Sequence, residues 1–496
     1  MKILQAVNHP ASYPQSLIIP VAAPSSDGSI PESFFTALSA AFGIPALENS
    51  DFKAEYGEIL FFFTPQTRVI LLGLGKSPAF ADILKCFRLL SAKHKQKLSK
   101  DTGISLLSDN LPENPLEWLE AAVNGLALGA YQIGKHKTTD GEKHPLGDPD
   151  SQLQLLLPEN IQSTGMAAAQ KGLEIAGIQQ RIFDMVNAPA NKKTPADMAA
   201  WAQASAKQYG YKATVYDRQQ SEALGFHALI AVGKGSENPP FFIVLEYAPE
   251  NAVKKVALVG KGVTFDTGGI SIKPSSNLHY MKSDMGGAAA VLGAMEAAAF
   301  LKLPVHLTGI ILAAENSVDA HALRPSDVIS SYSGKTIEII DTDAEGRLIL
   351  ADGLSYAVRN HQPDVIIDLA TLTGSVVRTL GYHAAGVFSS NDALSKALCE
   401  AGDSVGERLW PLPIWDVYKE DIKSDIADVR NFSGKQVAGA ISAAKFLEVF
   451  VDEHPAWAHL DIAGVAFGDS EFASQKSASA YGVRLLLAYL QRLSTT

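Results

Sequence analysis

Cysteine is scarce: Cys86 and Cys399 are the only two in 496 residues. Two thiols so far apart in sequence make neither a disulfide framework nor a cysteine metal knuckle, so a reducing, cytoplasmic setting is expected. Positive charge is short as well. Lys and Arg number 42 against 53 Asp and Glu, a formal net charge of −11, and a field of that sign repels nucleic acid and anionic lipid. The one basic run, Lys93, Lys95, Lys97 and Lys100, reads as a solvated helix face. Long apolar runs are missing. Ala288 to Leu301 is too short to span a bilayer and carries Glu296, and Met1 to Pro20 is broken by Asn8, His9, Pro10 and Pro14, so neither a membrane segment nor a secretory signal is expected. None of the 12 histidines stands in H-E-x-x-H, which excludes a single-zinc protease of that type.

What is present is an ordinary globular composition, 47% hydrophobic and 19% charged, in a chain too long for one hydrophobic core. The expected fold class is α/β in two domains, each a sheet flanked by helices. The N-terminal domain is placed at 1–165 and the larger catalytic domain at 166–496, with a connector helix over about 166–186. In the first, Ile59 to Phe63 and Val69 to Leu72 read as strands, followed by a helical stretch through Lys100, with a last strand at Leu153 to Leu157. In the second, Thr194 and Pro195 read as the N-cap and first residue of a helix running through Ala206. Strands at Val256 to Val259, Val305 to Leu312, Thr336 to Ile340, Val365 to Leu369 and Ala458 to Ile462 alternate with helices, which implies a mostly parallel sheet.

Three near-motifs fail on inspection. Gly73 to Ser77 ends like a phosphate loop, but Ile70 stands where its first glycine belongs. Gly260-Lys-Gly262 follows a strand as a dinucleotide fingerprint does, yet Phe265 occupies the third glycine position. Gly402-Asp-Ser404-Val-Gly406 matches the nucleophile elbow of serine hydrolases. The preceding Ala393 to Ala401 has helical composition, however, and Gly402 stands where a helix-ending glycine would. A serine hydrolase using Ser404 is the alternative reading.

The chemistry concentrates in two segments. Lys261, Asp266 and Lys273 lie on a glycine-rich stretch after a buried strand, which leads to Lys282 and Asp284 before Gly286 and Gly287. Taken alone, Asp284 is a helix N-cap and Asp266 a turn aspartate. The second segment, Thr336 to Arg347, sets Asp343 and Glu345 two residues apart after an alternating strand, and in extended backbone such residues face the same way. Four carboxylates in one crevice repel unless hard cations neutralise them, and two divalent ions supply the matching charge. Histidine-free oxygen ligation favours Mn, Mg or Zn.

These segments resemble the signature of the leucyl aminopeptidase family of dinuclear metallopeptidases. The resemblance spans most of residues 180 to 496 and includes Asn187-Ala-Pro-Ala-Asn191, Ala370-Thr-Leu-Thr-Gly374, Lys423-Ser-Asp-Ile-Ala-Asp428 and Trp457-Ala-His-Leu-Asp-Ile-Ala-Gly464. It implies ligation of two divalent ions, Mn or Zn, by Lys261, Asp266, Asp284, Asp343 and Glu345, with Asp266 and Glu345 bridging. It further implies Lys273 as the residue that polarises the scissile carbonyl and Arg347 as the holder of a bicarbonate base, with Leu372 lending backbone contact. The side-chain pocket would be Met281, Thr371, Gly374, Ala463 and Ala466. A homo-hexamer acting on peptides with a free N-terminus is implied too, and a second, DNA-binding role known in the family is disfavoured by the net charge. Three places depart from the family pattern: Asp341, where asparagine is usual; the loop Ser317 to Leu323; and Ser479-Ala480-Tyr481-Gly482, where Thr-Gly-Phe-Gly is usual.

Overall fold

A computed structural model describes residues 1–8, 12–24, 29–45, 47–106, 112–139, 141, 143–468 and 474–494. The chain divides into two units after Gln180, inside the helix Gln162–Asn187.

The N-terminal unit holds a six-stranded sheet in the order Lys2–Val7, Gln152–Leu156, Asp101–Ser105, Ser16–Ala23, Arg68–Lys76, Ile59–Phe63. All neighbours run parallel except the last strand, which is antiparallel at the edge. Side-chain alternation sorts its two faces. Ile18, Ile70 and Leu72 pack with the helices Phe80–Lys93 and Pro115–Gly129, while Leu17, Ile19, Val69 and Leu71 pack with Glu32–Phe42. Lys2–Val7, Ser16–Ala23 and Asp101–Ser105 are strands that the sequence patterns above do not assign.

The C-terminal unit is built on an eight-stranded sheet, ordered Leu409–Pro411, Ala385–Phe388, Trp457–Asp461, Val365–Ala370, Lys255–Asp266, His306–Asn316, Phe241–Tyr247, Lys212–Tyr216. Its four central strands are parallel, and antiparallel pairings begin on either side of them. The helix Gly286–Phe300 is rich in Gly and Ala and buried almost all round, as expected of a helix apolar on every side. It packs on the sheet face that Gly260 presents, where a Cβ would sit 2.6 Å from Ala288 Cα. On the opposite face, the helix Glu345–His361 lays Gly353 against Val259 and Leu312. Thr336–Glu338 is a strand, but it belongs to a separate three-stranded sheet with Val328–Ser330 and Val429–Arg430. Thr194 does cap the helix Pro195–Tyr209, in a reciprocal capping box with Asp197. Among the described residues no helix is long and apolar enough to cross a membrane.

Candidate active site

The strand Lys255–Asp266 is buried on both faces and carries Lys261 and Asp266 toward its carboxyl end, where the crevices of parallel sheets open. The chain then turns through Gly268 and Gly269 at φ of 87° and 66°, a region glycine enters without steric cost. A Cβ on Gly269 would lie 2.9 Å from Asn316 Oδ1. This turn delivers Lys273. A 3-10 turn, Leu278–Ser283, sets Asp284 just ahead of the helix Gly286–Phe300.

Asp343 and Glu345 converge for a reason other than the extended backbone expected from their spacing. Ala344 has φ −104° and ψ 40°, and Glu345 is the first residue of the helix Glu345–His361. A tight helix entry, with Asp343 N–H donating to Asp341 Oδ1 at 2.9 Å, therefore aims the two acids. Ligand oxygens of Asp266, Asp343 and Glu345 all lie within 4.8 Å of one another.

Two lysines thread this group of acids. Lys261 Nζ lies 2.8 Å from both Asp284 Oδ2 and Glu345 Oε1 and donates to the Thr371 carbonyl at 3.0 Å. Lys273 Nζ lies 2.8 Å from Asp266 Oδ2 and also contacts Asp343. Burial opposes both ammonium charges, but the surrounding carboxylates outweigh it and hold each lysine above its ordinary range. Two ammonium groups cannot neutralise four carboxylates. Burial, reinforced by repulsion from Asp266 and Glu345, pushes Asp343 up to about 7, and Asp284 and Glu345 are raised by the same causes. Glu345 Oε2 is buried with no hydrogen-bond partner. Clustered carboxylates that resist ionisation, with an unpaired buried oxygen among them, are a donor set suited to hard divalent cations.

Arg347 is buried, with Nη1 donating to the Asn431 carbonyl at 2.9 Å and Nε unpartnered. Burial pushes its guanidinium down to about 10 against the pull of Glu345 and Asp341. A cavity of about 350 Å³ opens beside the acids. Met281, Thr371, Leu372, Gly374 and Ala463 line it together with Lys261, Asp266, Lys273, Asp284 and Asp343. Ala466 lies underneath instead, and a Cβ on Gly286 would touch it at 3.1 Å. A larger hollow of about 870 Å³ surrounds Lys445, whose ammonium is already paired with Asp416 at 3.0 Å and Glu448 at 2.6 Å. The smaller cavity is the one that the acids border.

Several residues of the site have no sequence signal of their own. Asn316, opposite Asp266 in the parallel register, donates to Asp266 Oδ1. Buried Lys193 donates to the Lys282 carbonyl and, at 3.3 Å, to that of Val186, while Lys282 Nζ donates to the Asn187 carbonyl at 3.0 Å. The Asp341 departure is benign in hydrogen bonding, since the Asp343 N–H needs only a carbonyl-type oxygen there. Ala480 is less comfortable, at φ 56° in a region L-residues disfavour. Ser404 sits in the last turn of the helix Asp392–Val405 and donates to the Ala401 carbonyl at 2.7 Å. That helix runs through Gly402 and ends at Gly406, φ 78°, so the expected helix-ending glycine is Gly406. No strand leads into Ser404, and the elbow reading has no support.

Residues 181–487 match the catalytic domain of the cytosol aminopeptidase family, and residues 26–140 match its N-terminal domain. The chain belongs to this family. A probable cytosol aminopeptidase of Chlorobaculum tepidum is 42% identical over 474 residues, covering 91% of this chain and 92% of that protein. Among solved structures, a mutant of tomato leucine aminopeptidase aligns with a TM-score of 0.86 at 33% identity, over 99% of this chain and 96% of that one. The bottromycin maturation enzyme BotP in complex with Mn aligns with a TM-score of 0.82 at 32% identity, over 97% and 99%. This family member is a metal-dependent aminopeptidase, an exopeptidase acting on peptides.

Proposed function

We propose that Lys261, Asp266, Asp284, Asp343 and Glu345 hold two divalent ions, manganese or zinc, with Asp266 and Glu345 shared between them. Convergence of the Asp266, Asp343 and Glu345 oxygens within 4.8 Å carries the reading. When bound, such ions supply Lewis acidity toward a carbonyl and make water a better nucleophile near neutral pH. Lys261 would join the ligand set as a neutral amine, giving up to solvent the proton that Asp284, Glu345 and Asp266 stabilise. Lys273, only partly buried at the cavity wall, donates to the oxyanion that develops on the scissile carbonyl. Arg347 supplies a buried cation with an unpartnered Nε, a seat for a bicarbonate that accepts the proton of the attacking water. Leu372 N–H already donates to Asp461 Oδ1, so what Leu372 lends that anion is backbone contact at the cavity wall and not a hydrogen bond.

Substrate enters by its N-terminus, with its α-amine among the acids and its first side chain against Met281, Thr371, Gly374 and Ala463. Their small and apolar surfaces favour a leucine-like residue, and Ala466 shapes this wall from behind. A cytoplasmic homo-hexamer completes the reading on the strength of the family resemblance, and the acidic net charge weighs against nucleic-acid and anionic-membrane partners.

The test compares a leucyl peptide with its N-acetylated twin, products followed by mass, before and after chelation. Release of leucine from the free peptide alone, abolished by chelator and restored by manganese or zinc, is expected. Equal cleavage of the blocked peptide, or internal cuts preceding terminal ones, sinks the assignment.

A further inference from the structure

The strand Trp457–Asp461 lies parallel to Val365–Ala370, with Ala370 opposite Asp461. Both strands end at this pair and diverge into the two loops that form one wall of the cavity, Thr371 to Gly374 and Ile462 to Ala463. Asp461 sits in the fork, fully buried. Its Oδ1 receives the N–H of Leu372 at 3.1 Å, of Thr373 at 3.4 Å and of Ala463 at 3.3 Å. Its Oδ2 receives the Thr373 hydroxyl at 2.7 Å. No Lys or Arg pairs with this carboxylate among the described residues; amides and a hydroxyl from both loops hold it. Burying a carboxylate is costly, and burial holds this one above its ordinary range even though the His459 charge, the Thr373 hydroxyl and the loop N–H groups pull the other way.

The opposite edge of the first loop is tied to the acids. Thr371 Oγ1 donates to Asp284 Oδ1 at 2.7 Å, and the Thr371 carbonyl receives Lys261. One short loop thus hangs between Asp284 and Lys261 on one side and Asp461 on the other. Below the fork, at the preceding register pair on the same sheet face, His459 Nδ1–H and Trp457 Nε1–H donate to Asp368 at 2.6 Å and 2.8 Å. Those buried bonds leave Asp461 little freedom to follow a moving loop.

We propose that Asp461 is a positioning residue of the aminopeptidase reaction, setting the gap between the Thr371 to Gly374 loop and Ala463 and so the width of the first side-chain subsite. The inference rests on the placement of that subsite proposed above. Asparagine keeps an acceptor for the three N–H groups only by turning its NH2 toward Thr373 Oγ1, which already accepts the Val376 N–H at 3.0 Å, and the Thr373 hydroxyl then loses the acceptor of its own hydrogen. The loops then part, and substrates whose side chain spans the gap suffer most.

The experiment uses full-length metal-loaded protein and measures bound metal, kcat and KM for leucyl and alanyl substrates on Asp461→Asn, Thr373→Val and Thr373→Ser. Expected for Asp461→Asn is unchanged bound metal, a kcat/KM for the leucyl substrate lower by on the order of 10²-fold, a raised KM, and a compressed leucyl-to-alanyl preference. Thr373→Val, which removes one donor of four together with the cap that Thr373 Oγ1 gives Val376 N–H at the start of the helix Gly374–Leu380, shifts preference and KM in the same direction by less. Thr373→Ser, which keeps the hydroxyl, returns the preference toward wild type. A purely structural role lowers the active fraction, so equal losses of kcat on both substrates with unchanged KM overturn the proposal. Lys273→Ala, run alongside, separates the two readings. If it is impaired while Asp461→Asn and Thr373→Val keep wild-type preference, only this inference fails; if Lys273→Ala is inert, the site assignment itself fails.

Discussion

Asn316 Nδ2 donates to Asp266 Oδ1 at 2.8 Å and to the Thr342 carbonyl at 3.1 Å, so one buried amide spans the two acidic segments. Gly268 N–H adds a second donor to the same Asp266 oxygen at 2.9 Å. These bonds orient the carboxylate and leave Oδ2 toward Lys273 and the cavity.

Removing that amide should weaken metal binding without emptying the fold. For Asn316→Ala the expected result is roughly 10- to 100-fold lower metal affinity, the usual range for loss of an outer hydrogen-bond partner. Metal titration of the chelator-stripped protein measures it. Wild-type affinity in the variant would show that Asp266 needs no such support.

Lys273→Ala should keep its bound metal and lose turnover by about 10²- to 10³-fold, the scale for losing one oxyanion donor. Elemental analysis and steady-state rates on a leucyl substrate check both halves. An unchanged rate removes Lys273 from the mechanism, while loss of metal reassigns it to holding the site together.

Ser404→Ala should leave kcat and KM within twofold of wild type, because this hydroxyl bonds within its own helix turn. The same assay decides. A collapse of activity with the metal still bound would revive a serine mechanism.

The fold also carries a pH signature at Lys193. Burial pulls its amine from the ordinary 10.5 down to about 7, with the Lys282 charge adding to the effect. Between those values the unfolded chain holds a proton that the folded chain has released, so stability rises with pH across that window. Below pH 7 the lysine is protonated in both states and its penalty is constant. Lys193→Met removes this dependence. From pH 7 to about pH 9.5 the wild type should gain on the variant by up to roughly 3 kcal/mol, visible as a widening difference in melting temperature. A difference that stays flat overturns the assignment.

Much of the site is legible in the sequence because it hangs on the ends of strongly apolar strands. Val256 to Val259 marks the strand that carries Lys261 and Asp266, and paired glycines flank both acid positions. Asp343 and Glu345 are found as a pair even though a helix entry, not a strand, brings them together; a spacing of two fits either conformation. Asn316, Asp461 and Lys193 are harder to see. Asn316 and Asp461 act through partners that are distant in sequence and that sheet register brings close, and Lys193 through the Lys282 carbonyl in a 3-10 turn. The N-terminal strands Lys2–Val7 and Ser16–Ala23 escape for a local reason, since prolines and polar residues interrupt the first twenty positions and mask the alternation that pairing reveals.

The order of strands in the C-terminal sheet has a consequence for synthesis. Lys255–Asp266 lies between His306–Asn316 and Val365–Ala370, both later in the chain, and Trp457–Asp461 closes on the outer side of the latter. Such long-range parallel pairing forms late in folding. A growing chain therefore carries its acidic residues without the strands that align them, and the fork at Asp461 forms only after nearly the whole sequence has emerged. A chain ending before that strand carries every acid of the site but lacks Asp461 and Ala463, and with them one wall of the cavity.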